Sequence, residues 1–195
     1  MPQAIPLYER VLADRRRVLG DDHPHTLTSR NSVAAYLRKL GEIQAAREVD
    51  EDTLARRRRV LGPDHPATLT SQHNLSQDLS RLGMHQAARE LDADTLARRR
   101  TAHGHDHPWT LITASNLASD LRQLGEAEAA RDLDADTLAR RRRVLGDDHP
   151  QTLASASNLA KDLEQLGDHQ AAAGLRAEVR HRRRGQGEAA QANGP

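Results

Sequence analysis

The sequence predicts an all-α chain, a superhelical solenoid of antiparallel helix pairs with about nine helices. Three observations lead there. A tetrapeptide ending in His-Pro returns four times at a step of 42 residues: Asp21-Asp22-His23-Pro24, Pro63-Asp64-His65-Pro66, His105-Asp106-His107-Pro108 and Asp147-Asp148-His149-Pro150. Within each step, Leu and Ala recur at helical spacing. Leu-Gly pairs at Leu40-Gly41, Leu82-Gly83, Leu124-Gly125 and Leu166-Gly167 break each copy in two. Self-similarity at a fixed period of this length is the signature of a repeat architecture.

Each copy reads as two helices, A then B. Helix A opens at His-Pro, because proline suits a first helical position where its missing N–H would be unpaired anyway. The residue before that proline, Asp or His, can cap the free amides. Leu27, Val33, Leu37 and Leu40 then follow in the first copy, and Leu69, Leu75, Leu79 and Leu82 in the second, at helical period. Glycine ends helix A, since it takes the left-handed conformation at C′ without strain. Helix B carries Ala46, Val49 and Leu54, then Ala88, Leu91 and Leu96, then Ala130, Leu133 and Leu138, and closes on an Arg-rich turn. A helix pair cannot bury its own apolar face, but stacked pairs can. The expected organisation is therefore an incomplete repeat (helix B only) over residues 1–19, four helix pairs over 20–184, and a small, polar, disordered tail over 185–195.

Composition narrows the function. The chain of 195 residues has no Cys, which removes disulfides and Cys-based metal or redox sites. Neither a secretory leader nor an apolar stretch near the ~20 residues needed to span a bilayer is visible, so a cytoplasmic protein without membrane contact is expected. Lys+Arg is 29 against Asp+Glu 28, a balance that disfavours nucleic acid as the partner. There is no Phe, one Trp and two Tyr.

Leu75, Ser76, Leu79, Gly83, Ala88 and Leu96, with Ala118, Gly125 and Ala130 one repeat on, sit at the spacing of the tetratricopeptide consensus. The chain resembles that family over residues 4–184. The longer 42-residue form, with its Asp-His-Pro turn, looks like the repeats of kinesin light chain and still more like those attached to bacterial NB-ARC-type signalling ATPases. No Gly-x-x-x-x-Gly-Lys phosphate loop is present. Where the family's helix B often has an aromatic, this chain has Tyr8 and then Asp50, Asp92, Asp134 and Arg176.

The resemblance implies a right-handed superhelix whose A helices line a concave, peptide-binding groove. The carried-over groove positions are Asn31 and Arg38, then His73, Asn74, Gln77 and Arg81, then Ser115, Asn116, Ser119 and Arg122, then Asn158 and Lys161. With four basic residues among them, an acidic segment is the ligand guess. Trp109 stands where the other copies have His25, Ala67 and Gln151, so it is either a local packing residue or a partner anchor.

Other constellations have plain readings. The pairs Asp50/Asp52, Asp92/Asp94 and Asp134/Asp136 read as surface lacing. Each first Asp has Arg47, Arg89 or Arg131 three residues earlier, and each second has Arg56, Arg98 or Arg140 four later. The recurring His residues read as turn caps. His103, His105 and His107 are dense enough for adventitious metal, but no metal site is expected. The Arg runs at 15–17, 56–59, 98–100, 140–143 and 182–184 read as cations opposing helix macrodipoles, with a phosphate-contacting ladder as the alternative. No cofactor and no catalytic group is expected. The chain reads as a protein-interaction scaffold, not an enzyme. The rivals are a self-associating module joined through the first helix, where Ile5, Leu7, Val11 and Leu12 have an uncovered side, and a nucleic-acid binder using the Arg ladder.

Overall fold

The computed structural model describes residues 4–192, with side chains over 7–186. Nine helices make up the described residues: α1 (Ala4–Leu19), α2 (Pro24–Leu40), α3 (Ile43–Leu61), α4 (Pro66–Arg81), α5 (His85–His103), α6 (Pro108–Gln123), α7 (Ala127–Leu145), α8 (Pro150–Gln165) and α9 (His169–Ala192). No strand occurs among them.

The helix edges follow from backbone chemistry. Each A helix (α2, α4, α6, α8) has proline in its first turn and is preceded by an extended histidine. The ring Nδ1 of that histidine accepts from the N–H two residues on: His23 from His25, His65 from Ala67, His107 from Trp109 and His149 from Gln151, at 3.1–3.3 Å. Histidine thus takes the place of the usual Ser, Thr, Asp or Asn cap. It must be neutral to accept at Nδ1. At the other end of α2, Gly41 has φ of 84°, and its N–H and that of Glu42 meet the carbonyls of Arg38 and Leu37. This is a Schellman-type stop that a side chain at Gly41 would strain.

The chain forms two compact units, one up to Arg98 and one from Arg99. In the first, α1 packs on α2, α2 on α3 and α3 on α4. Leu54, Leu75, Leu79 and Ala88 form its buried cluster, with Ala87 and Leu91 against them. In the second, α6, α7, α8 and α9 pack in succession, and α6 also touches α8. Its cluster is Leu138, Leu153, Ala156 and Val179, flanked by Leu159 and Leu175.

One boundary differs from expectation. The helix that was expected to end at 184 continues as α9 through Ala192. Gly185 and Gly187 do not stop it, and the following Glu188, Ala189, Ala190, Gln191 and Ala192 are strong helix formers. Residues 193–195 of the expected tail lie outside the described residues.

Candidate protein-binding face

The A helices present the sequence-predicted groove residues in two groups. In the first unit, Asn31 on α2 and Asn74 and Gln77 on α4 are half-buried, and Arg81 is exposed. His73 is buried, with Nε2 2.9 Å from Nε2 of Gln77. In the second unit, Ser115, Asn116 and Ser119 on α6 and Asn158 on α8 are half-buried. Lys161 is exposed and reaches the Asn158 side-chain oxygen at 3.4 Å. The Asn31 side-chain oxygen and the Ser115 hydroxyl are covered atoms with no hydrogen-bond partner among the described residues. Polar atoms so placed favour a ligand or water that can bond to them.

Arg38 and Arg122 do not belong to this face as ligand-binding cations. Their guanidiniums are turned inward and only 12% and 10% exposed. Arg38 Nη1 donates to Asp50 at 2.6 Å and Asp78 at 2.9 Å. Arg122 donates to Asp134 at 2.7 Å and also to Asp162. All four carboxylates are fully covered. Each arginine from one A helix therefore clamps a B-helix Asp to the Asp of the next A helix. The surface reading of Asp50, Asp92 and Asp134 fails here, since all three are buried.

One cation between two buried carboxylates leaves negative charge in a poorly solvated place. Burial accordingly pushes Asp50 up to about 6, against the opposing pull of Arg38. Burial also raises Asp78. Asp134 is raised by burial first and by neighbouring Asp162 second. At the register position of Arg38 and Arg122, the intervening repeat has Ser80.

The second Asp of each pair behaves as the sequence suggests. Arg56, Arg98 and Arg140 donate to Asp52, Asp94 and Asp136 four residues earlier, at 2.8–2.9 Å. The same arginines also reach the preceding turn, at Asp22, Asp64 and Asp106. Arg182 repeats this with Glu178 and Asp148.

The next arginine along is different again. Arg57, Arg99 and Arg141 are 3–5% exposed. Arg57 donates to the Ala67 carbonyl at 3.0 Å and the Ser71 hydroxyl at 2.8 Å. Arg99 does the same with Trp109 and Thr113, Arg141 with Gln151 and Ser155, and Arg15 with His25 and Ser29. The runs are thus mostly neutralised or buried, and little of a phosphate-binding ladder remains.

Trp109 is 47% exposed, and the Arg99 guanidinium lies 5.4 Å from its ring centroid. The rings of His103 and His107 stack with centroids 4.7 Å apart. No group of three or more His, Cys, Asp or Glu is gathered for a metal among the described residues. No helix there is long and apolar enough to cross a membrane.

The family model described as tetratricopeptide repeat matches residues 1–59, 30–101, 79–139 and 110–175. The chain belongs to the tetratricopeptide repeat family. Among solved structures it is similar to the nearly identical tetratricopeptide-like repeats described as kinesin light chain from Podosopora anserina. One form of these is 29% identical with a TM-score of 0.87, covering 96% of this chain and 88% of the other. A second is 28% identical with a TM-score of 0.83, covering 100% and 89%. BtubC (BKLC) from P. vanneervenii shares the fold at 18% identity, with a TM-score of 0.84 over 95% of this chain and 74% of its own. No curated protein matches the chain in sequence. Tetratricopeptide repeats typically serve as non-enzymatic scaffolds for protein partners.

Two buried polar networks lie behind the face, and the sequence carries a signal for each. The Asp–Arg–Asp clamps were signalled by Asp78, Asp120 and Asp162, which recur in helix A at the same step as Asp50, Asp92 and Asp134 in helix B. The buried arginines were signalled by a Ser or Thr 14 residues further on, as in Arg57 to Ser71.

Proposed function

We propose that this tetratricopeptide repeat chain is a cytoplasmic, non-catalytic scaffold that holds an extended peptide or a partner protein against its A helices. The observation that carries this reading is the recurrence of half-buried amides and hydroxyls on that face: Asn74 and Gln77 in one unit, and Ser115, Asn116, Ser119 and Asn158 in the other. An amide offers both donor and acceptor, which suits the backbone of an extended ligand. With Arg38 and Arg122 engaged inside, the basic residues left for an acidic ligand are Arg81 and Lys161, both exposed. A role as the repeat arm of an NB-ARC-type signalling protein fits the same reading.

Photo-crosslinking tests it. A photoreactive residue at Gln77 or Ser119 should capture a partner that the same residue at Ala55 or Ala139, exposed positions of the B helices, does not. Asn74→Ala with Asn116→Ala should weaken that capture while the melting temperature hardly changes. Arg81→Glu with Lys161→Glu should weaken it further if the partner is acidic. Equal capture at all four positions, or a large fall in melting temperature with capture intact, would show the amides to be structural.

A second reading, self-association, rests on α1, where Leu7 is 60% and Val18 70% exposed. Light scattering separates the two: a concentration-dependent dimer abolished by Leu7→Glu would favour it.

A further inference from the structure

We propose that two copies of this chain pair through α1, antiparallel about a two-fold axis, with Arg10 of each copy bonded to Asp14 of the other. The pairing rests on the self-association reading and adds its orientation and its charge contacts. Leu7, Val11, Asp14 and Val18 follow one another at steps of four, three and four residues, the spacing of a helix–helix seam. All four are exposed. The end of a solenoid normally carries a polar face instead of such an apolar stripe. The seam is not the side of α1 that packs on α2, which Arg15 ties to His25 and Ser29.

The register of the repeats shows what this side of a B helix ordinarily meets. Arg10 and Val11 stand at the positions of Asp52 and Thr53 in α3 and of Asp94 and Thr95 in α5. There the preceding A helix covers them. Arg30 donates to Asp52 and, at 3.2 Å, to Thr53, and Gln72 donates to Asp94 at 2.9 Å. Each of these acids is also held by an arginine four residues on, Arg56 or Arg98. On α1 both charges are inverted: Arg10 replaces the Asp, Asp14 replaces the Arg, and Val11 replaces the buried Thr. An A helix of a second copy would set a donor against Arg10, so it does not fit. Nor does α9 of a second copy, whose exposed Arg180 and Arg183 would add like charge.

A second α1 does fit. With the helices antiparallel and Val11 lying over Asp14 of the other copy, Leu7 meets Val18 at both ends of the seam. Arg10, one residue before Val11, then reaches Asp14 of the second copy, and the two-fold axis makes that contact twice. Both groups can make it. Arg10 is exposed and forms no ion pair among the described residues. Asp14 holds only Arg17 of its own helix, at 3.5 Å with both side chains exposed. The same patch serves both copies, so association closes at two instead of growing into a fibre. The pair presents two A-helix faces, which raises avidity for a partner with two binding segments.

The test uses the intact chain, which has no Cys, so that introduced thiols are its only ones. Leu7→Cys and Val18→Cys, mixed and oxidised, should form a disulfide-linked pair, and neither variant should crosslink with itself. Antiparallel pairing separates the two copies of position 7 by about 16 Å along the axis, beyond the ~7 Å between Cα atoms that a disulfide spans. In sedimentation, Arg10→Glu and Asp14→Arg should each weaken the dimer at least about fivefold, because each sets like charges across the seam. An equimolar mixture of these two variants should regain the parent's affinity, which variants that had lost α1 could not do. Self-crosslinking of Leu7→Cys, no crosslink in the Cys mixture, or no recovery in the charge mixture would each overturn the pairing while leaving self-association standing. A parent chain that stays monomeric at every concentration would overturn both.

Discussion

Neighbouring arginines in one run have unlike surroundings. Arg56 lies at the surface between Asp52 and Asp22, while Arg57, one residue on, is 4% exposed and ties the end of α3 to the start of α4. An exposed pair of this kind is worth about 0–1 kcal/mol. A buried donor whose removal orphans a carbonyl and a hydroxyl is worth more, about 1–3 kcal/mol. Arg56→Met should therefore leave the denaturation midpoint almost unchanged, and Arg57→Met should lower stability by about 1–3 kcal/mol. Urea melts of the two variants check this; equal losses would show that burial does not separate them. The same contrast explains why Arg38 is unsuited to probing ligand binding. Its removal would leave Asp50 and Asp78 as covered charges without their shared cation.

At the scale of helices, the starts and stops were legible because they are local. Proline at the first turn, histidine before it and glycine after Leu40 act on backbone within a few residues, and the A helices α2, α4, α6 and α8 start at those marks. The buried polar contacts were not legible in the same way. Arg38 meets Asp78 from 40 residues away, so the pairing depends on which A helix faces which B helix. Read locally, Arg47 three residues before Asp50 suggests a surface pair, yet Asp50 is turned inward to Arg38. The end of α9 was missed because glycine is a stop only where the chain turns, and here it does not. In the second unit α7 is covered by α6 and α8, whereas α9 packs on α8. Arg180 on α9 is exposed at the position where Leu54, Leu96 and Leu138 are buried. Hydrogen exchange should accordingly be faster over 170–184 than over α7. Equal protection of the two helices would contradict this.

For the whole molecule, a net charge of +1 conceals two classes of carboxylate that respond to pH in opposite senses. The hydrogen bond from Arg16 holds Asp21 below its ordinary value, that from Arg56 holds Asp22, and those from Arg98 and Arg140 hold Asp94 and Asp106. These groups release protons more readily folded than unfolded. Their stabilisation is present above the ordinary value of 3.8 and is lost as pH falls below it. Asp50, Asp78 and Asp134, raised by burial, keep a proton longer in the folded chain. Stability tied to that proton is present at low pH and is lost as pH rises, for Asp50 between about 4 and about 6. His107 pulls the other way in the neutral range. Its value is lowered by burial and then by His103 and Arg99, so its contribution falls away as pH drops through 6.5. The parent profile therefore sums opposing trends, and the informative quantity is a difference between variant and parent. Asp50→Asn removes one titrating group while keeping its shape. Relative to the parent, its stability should improve as pH rises from 4 to 6, by on the order of 1–3 kcal/mol, and level off above that. Asp134→Asn should show the same sign over a higher pH range, because Asp162 adds its charge to the effect of burial. Chemical melts at a series of pH values measure both. A variant-minus-parent difference that stays flat with pH would mean that each clamp holds two fully ionised carboxylates and that its arginine fully offsets their burial.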